Sequence, residues 1–196
     1  MESPTKRRIA LLGSAIGLFA LGVVCYFVLL PAVQVKRGLR LLAAVNVGQT
    51  GVDEFRTMAV TYGVRVDEGS SGFGLLQHNS VLEHLHLAPH TSVLLEARVT
   101  DGVVSGISVR AGIGDGGEFA KISIDEVDSH HSRCGDVPVC VTPTSETNRT
   151  YVFFVPSTPV GQREHLLSLN SWCLAKVLGC RSSREFFPAA WEHQSQ

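Results

Sequence analysis

The chain has 196 residues, of which 44% are hydrophobic and 18% are charged, and its formal net charge is −1. Residues 1–8 hold three of the 17 basic residues and one of the 18 acidic residues, so residues 9–196 carry a formal charge of −3. This balance argues against a nucleic-acid surface, and we expect no nucleic-acid partner. Residues 31–196 are enough to bury one hydrophobic core, and they contain no internal repeat.

Residues 9–30 contain no charged side chain. A helix of that length reaches about 33 Å, and the hydrocarbon core of a bilayer is about 30 Å thick. The run therefore predicts a transmembrane helix in direct contact with lipid. A cleaved signal peptide is the alternative, because Lys6, Arg7 and Arg8 would precede either kind of segment. The length of the run and the lack of a small-x-small site after Leu30 favour an uncleaved signal-anchor.

The side of the membrane on which the large domain lies does not follow from the basic residues alone. Three of them precede the run and three follow it closely, at Lys36, Arg37 and Arg40. A very short N-terminal tail and two close pairs of cysteines favour a domain outside the cytoplasm. The predicted organisation is a cytoplasmic tail (1–8), a transmembrane helix (9–30), a juxtamembrane connector (31–49) and an extracytoplasmic α+β domain (50–196).

The first segment after the membrane is predicted to be helical. Residues 36–47 continue from the span as a helix or connector, and Thr50 is a plausible N-cap of the next helix. Its apolar positions Val52, Phe55, Ala59 and Val60 recur at helical spacing until Gly63 ends the run. Residues 67–74 are rich in glycine and serine, which indicates a loop.

The centre of the chain has the pattern of strands. Residues 92–100 and 103–110 flank Asp101-Gly102, a pair that favours a two-residue hairpin turn because both positions need positive φ. Alternation places Val103, Ile107 and Val109 on one face of the second strand and Val104 on the other. Residues 119–127 and 150–155 are two further strands, after a glycine-rich turn at 112–117.

A C-terminal helix is predicted to cover the sheet. It spans 162–178, with Leu166, Leu169, Cys173 and Val177 on its apolar stripe and Gly179 at its end. A short helix follows at 182–185. The predicted fold class is therefore α+β: one N-terminal transmembrane helix, then an antiparallel meander sheet of about four strands packed against a C-terminal helix.

The cysteines of the domain are predicted to form structural disulfides. Cys134 and Cys140 are close in sequence, as are Cys173 and Cys180, although four cysteines allow three pairings. A zinc site or a redox pair is the alternative, but neither pair has C-x-x-C spacing. Cys25 lies inside the apolar run and is interpreted as an ordinary apolar residue.

Four histidines are weak candidates for metal ligation. On a strand, His84 and His86 would point to the same face, and His130 or His131 could approach that face beside neighbouring acids. The alternative interpretation is that all four are surface residues beside turns. Their spacing matches no recognised ligand set.

The sequence contains no diagnostic catalytic motif and indicates no cofactor. It lacks G-x-S-x-G, and the glycine-rich run at 112–117 lacks the residues of a phosphate-binding loop. The favoured function is a non-enzymatic binding or envelope-assembly module with an unknown protein partner. One alternative is a membrane-anchored metal-dependent enzyme or hydrolase that uses the histidines and acids. Another is an accessory subunit of a membrane complex, associated through Gly13 and Gly17.

Overall fold

The computed structural model describes residues 4–69, 71–113, 118–124, 139–144, 149–154, 157–180 and 183–188. The helices are α1 (Pro4–Ala44), α2 (Val52–Thr61), α3 (Ser80–His84), α4 (Val160–Leu166), a 3-10 helix (Ser171–Ala175) and α5 (Ser183–Phe186). The strands are β1 (Asp67–Gly69), β2 (Gly72–His78), β3 (Thr91–Thr100), β4 (Val103–Ile113), β5 (Glu118–Ile124), β6 (Val139–Thr144) and β7 (Arg149–Phe154).

The described strands form one sheet in the order β1-β2-β3-β4-β5-β7-β6. Strands β1 to β5 are an antiparallel meander, which confirms the predicted α+β class. The four predicted strands correspond to β3, β4, β5 and β7. The sheet departs from a simple meander at its end, because β7 pairs parallel to β5 and antiparallel to β6. The sheet is therefore larger than the four strands expected.

Helix α1 has two halves with different surroundings. Residues 14–27 are exposed, whereas Ala32, Val35, Leu39 and Leu42 are buried in the hydrophobic core. Length and composition allow this one described helix near the N-terminus to cross a membrane, a property that signal sequences share. The segment predicted as a connector (31–49) is helical through Ala44, and its apolar face is part of the core.

The second half of α1 lies directly on the sheet. A Cβ atom at Gly38 would stand 3.1 Å from the Leu75 side chain on β2 and 3.2 Å from Leu95 on β3. Glycine at this position therefore lets the helix approach the strands closely. Further along the helix, the core includes a stacked pair of rings, Phe55 and Phe73, with centroids 4.8 Å apart.

The predicted hairpin turn is confirmed. Asp101 and Gly102 both have positive φ, at 52° and 77°, and they join β3 to β4. The predicted alternation on β4 is wrong at Val104, which is fully buried together with Ile107 and Val109. The physical reason is a register shift between Arg98 and Val99, which rotates the first residues of β4 relative to the remainder.

The helix predicted after residue 50 is α2, with a different N-terminus. Gly51 occupies the N-cap position, and the Thr50 hydroxyl instead accepts a hydrogen bond from the Asn46 backbone N–H at 3.0 Å. Val60 is predicted on the apolar stripe but is 80% exposed. The buried face of α2 is narrower than predicted, with Phe55 and Ala59 as its buried side chains. Gly63 follows the helix with φ of 64°, as expected for a terminating glycine.

The loop predicted at residues 67–74 is wrong, because β1 and the start of β2 occupy this segment. Gly72 has φ of 148°, and a Cβ atom there would lie 2.0 Å from the Ala97 carbonyl oxygen. The glycine permits close approach of two backbones within the sheet. Phe73 and Leu75 then alternate inward as buried strand residues.

The single helix predicted at 162–178 is also wrong. Helix α4 ends at Leu166, and after a turn the 3-10 helix covers Ser171–Ala175. Ser168 donates from its hydroxyl to the His165 carbonyl at 2.5 Å, and such local bonding competes with continued α-helix. Leu166, Leu169 and Cys173 are nevertheless buried as predicted, whereas Val177 is exposed. The short helix predicted at 182–185 corresponds to α5.

Candidate functional site

A surface cleft lies beside the second half of α1. Lys36, Leu39, Arg40 and Ala43 supply one side of it, and their spacing of three and four residues puts them on one face of the helix. Leu39 and Ala43 are buried and form an apolar floor, whereas Lys36 and Arg40 are exposed. This face of α1 therefore combines an apolar surface with two positive charges.

The C-terminal segment forms the opposite wall of the cleft. Residues 167–172 contribute the buried Leu167 and Leu169 and, at the outer edge, Trp172, which is 54% exposed. Tyr62, the residue after α2, closes one end, and Glu164 supplies the single acidic group of the lining. A large exposed aromatic side chain thus lines the same cleft as two cations.

The cleft has a volume of about 670 Å³. This value falls within the range of about 300–1,000 Å³ that is usual for ligand sites. Lys36 and Arg40 form no ion pair or hydrogen bond with another residue in the described part of the chain. Both cations are exposed at the cleft, where they can meet an anionic group that enters it.

A buried arginine fixes the wall of the cleft to the end of α1. Arg163 on α4 is 4% exposed, and its Nη1 donates to the Val45 carbonyl at 2.6 Å. Its Nη2 lies 3.5 Å from the Asn46 side-chain oxygen. Burial lowers the pKa of this guanidinium. Its charge faces the carboxyl end of α1, where the helix dipole favours a cation.

A disulfide holds the 3-10 helix that carries Trp172. Cys173 and Cys180 are bonded, with Cα atoms 5.0 Å apart. Lys176, between them, pairs with Glu185 on α5. Cys140 is also disulfide-bonded, and Cys134 lies outside the described residues. Cys25 has a free thiol and is exposed on the first half of α1.

The structure does not place His84 and His86 on a strand. His84 ends α3, and His86 follows in a turn with φ of 55°. Both line a shallow surface pocket with Ser80 and Glu83. The Glu83 carboxylate is already hydrogen-bonded to His90 Nδ1 at 2.8 Å. His130 and His131 lie outside the described residues, so their approach to this pocket stays a prediction.

In the described ranges, one group of three potential metal ligands has its ligating atoms within 4.8 Å of one another, namely Cys173, Cys180 and Glu185. The two sulfurs are joined in a disulfide, so neither is a thiolate that could bind a metal ion. Glu185 is paired with Lys176. This arrangement stabilises structure and offers no metal site while the disulfide is intact.

The cleft was not predicted from the sequence. The i,i+4 spacing of Lys36 and Arg40 around Leu39 is a local signal of a shared helix face. Trp172 lies within the predicted helix 162–178, where its sequence context indicates no role. No local signal connects the two segments, which are more than 120 residues apart in the chain.

Comparisons with protein-family models, with curated proteins and with solved structures found no match to this chain.

Proposed function

We propose that this chain is a membrane-anchored, non-enzymatic binding module. Helix α1 holds it in the bilayer, its domain lies outside the cytoplasm, and the cleft binds an acidic segment of a partner protein. The observation that carries the proposal is the juxtaposition of Lys36 and Arg40 with Trp172 over an apolar floor.

The continuity of α1 supports an uncleaved anchor. The helix runs from the apolar segment into the core without interruption, and Ala32 and Val35 are fully buried only a few residues after Leu30. A cut deeper than Ala32 would remove side chains from the core.

The disulfides support a domain outside the cytoplasm. Cys173 and Cys180 are bonded, and Cys140 is bonded as well. Disulfides persist in oxidising compartments and are rare where glutathione keeps thiols reduced. The short segment before the apolar run would then stay on the cytoplasmic side.

The position of the cleft favours a ligand from the aqueous phase. Ala43 lies 13 residues beyond Leu30, which is about 20 Å along the helix. The polar layer of one leaflet is only about 5–8 Å thick, so a lipid headgroup cannot fill the cleft to that depth. Trp and Arg are the residues most enriched at the energetic centres of protein interfaces. An acidic segment that also carries an apolar side chain matches both the charges and the floor.

Site-specific photocrosslinking tests this proposal. Trp172 is replaced by p-benzoyl-phenylalanine, an aromatic residue, in the full chain, which is then irradiated in membranes of its source. We expect one discrete protein adduct. In the Lys36→Gln/Arg40→Gln variant its yield should fall by about tenfold, because two exposed ion pairs of up to about 1 kcal/mol each are lost.

Arg65→Gln is the matched control. Arg65 is exposed, lies outside the cleft lining and carries the same charge, so its removal should leave the yield unchanged. An adduct that is equally strong in the double variant would contradict a role for the two cations. An adduct with the mass of a phospholipid would contradict a protein partner.

A further inference from the structure

Four exposed apolar side chains lie together at one end of the domain. Leu85 and Leu87 belong to the loop after α3, and Val177 and Leu178 follow the 3-10 helix. The two loops are joined, because the Leu178 backbone N–H donates to the Leu87 carbonyl at 2.9 Å. We call these four residues the apolar rim.

The rim lies level with the end of the apolar run of α1. Gly38 of α1 packs against Leu75 of β2, and the two elements run in opposite directions. Gly48, which follows α1, donates to the Val104 carbonyl at the end of the sheet where β2 begins. Leu30 lies eight residues before Gly38, which is about 12 Å along the helix. The same distance along β2, measured from Leu75 toward the end of the strand, is about four residues. Leu30 is therefore level with the start of α3, and the rim loops are the loop directly after α3 and the loop hydrogen-bonded to it.

Contacts along α1 agree with this estimate. The side chains of residues 14–27 are exposed, but Val28 and Leu30 are half-buried, and α1 packs against α3. The domain thus reaches back to the last turn of the apolar run. If residues 9–30 span the membrane, any part of the domain level with Leu30 contacts the membrane surface.

Two residues of the rim loops have uncommon backbone conformations. His86, between the two leucines, has φ of 55°, and Leu178 has φ of 74°. A bulky residue with positive φ is unusual and indicates a local constraint. At Leu178 the constraint leaves a leucine 54% exposed, although the loop is hydrogen-bonded to its neighbour.

We infer that the apolar rim of Leu85, Leu87, Val177 and Leu178 inserts into the interface of the bilayer that α1 spans, so that the domain is seated on the membrane in one orientation. This inference rests on the anchoring part of the proposed function. The occupant is lipid because the rim loops follow α3, which packs against the helix whose apolar run is proposed to span the membrane. Apolar side chains at this depth bury about 5–10 Å into the boundary of headgroups and acyl chains.

Labelling by a photoactivatable lipid tests the inference on the full chain. The purified protein is reconstituted in phosphatidylcholine vesicles that contain a phospholipid with a diazirine near the carbonyl end of its acyl chain. After irradiation, labelled positions are mapped by mass spectrometry. We expect labels in residues 9–30 and in the rim, and none at the Asp101-Gly102 turn, which lies about 30 Å away at the far end of β3.

A charged rim should lose its labels. Leu87→Glu/Leu178→Glu is expected to lower rim labelling by about tenfold relative to residues 9–30, because a carboxylate is disfavoured in the interface. Leu76→Glu is the matched control. Leu76 is as exposed as Leu85, at 55% against 54%, but lies on β2 outside the rim. This control should leave rim labelling unchanged.

The labelling outcomes distinguish failure of the rim inference from failure of the proposed membrane anchor. Labels in residues 9–30 without labels in the rim would overturn the seating of the domain and leave the anchor intact. No labels in either segment would overturn the anchor, and the seating with it. Rim labels that persist in Leu87→Glu/Leu178→Glu would also contradict the inference.

Discussion

At the scale of single residues, Arg163 links the C-terminal segment to the end of α1. It is buried, and its guanidinium donates to the Val45 carbonyl, one residue after α1, and contacts the Asn46 side-chain oxygen. Its Nε has no hydrogen-bond partner within the described residues. The charge thus bears a desolvation cost that its hydrogen bonds to the helix end offset.

Replacement of Arg163 should destabilise the domain. Arg163→Met keeps the apolar stem but leaves the Val45 carbonyl buried without its donor, so we expect a loss of about 2–3 kcal/mol in the free energy of unfolding. Arg163→Lys should recover part of that loss, because one amine can still donate to the carbonyl. Denaturant unfolding of the purified chain measures both variants. Equal stability of Arg163→Met and the unchanged protein would contradict the capping role.

The glycines of β2 show why the composition of residues 67–74 predicts a loop where the structure has strands. Gly72 and Gly74 both contribute to the glycine-rich composition that predicts a loop, yet their surroundings in the sheet differ. At Gly72 an added Cβ would meet the backbone of β3, whereas at Gly74 it would meet nothing within 4 Å. Only the pairing of β2 with β3 reveals this difference.

The two glycines therefore give a matched pair of variants. Gly72→Ala should destabilise the domain by about 3 kcal/mol or more, because the contact with the Ala97 carbonyl can be relieved only by separating the strands. Gly74→Ala should change the free energy of unfolding by less than about 1 kcal/mol. Thermal unfolding monitored by circular dichroism compares them. Similar melting temperatures would argue against the close approach at Gly72.

At the scale of elements, sequence patterns correctly predict the turns, helices and strands that depend on interactions between residues close in the chain. The Asp101-Gly102 turn follows from the positive φ that both residues tolerate, and α2 follows from the spacing of Phe55 and Ala59. The first three of the four predicted strands pair as expected. These features depend on interactions within about ten residues along the chain.

Other elements depend on partners distant in sequence. Strand β7 lies between β5 and β6, parallel to the first and antiparallel to the second, and no local pattern reveals this order. The break after α4 combines local serine bonding with a 3-10 helix that packs against α1. The cleft depends on this break and on the packing against α1, because its two walls come from α1 and from residues 167–172. Its existence could not be predicted before their packing was known.

At the scale of the whole molecule, α1 has two roles in one uninterrupted helix. Residues 14–27 carry no charge and are exposed, whereas the helix from Ala32 to Ala43 contributes buried side chains to the hydrophobic core. One uninterrupted helix couples the orientation of the domain to that of the apolar segment. In the arrangement proposed above, the rim lies at the bilayer surface and the cleft faces water.

The most direct test of this account is thiol labelling of intact cells with a membrane-impermeant maleimide, before and after reduction, followed by the mass of the labelled chain. We predict that the domain cysteines react from outside only after reduction, and that the labelled chain retains residues 9–30. Labelling that requires broken membranes but no reductant would place the domain in the cytoplasm with free thiols. A labelled chain without residues 9–30 would show a cleaved signal sequence and contradict the anchor.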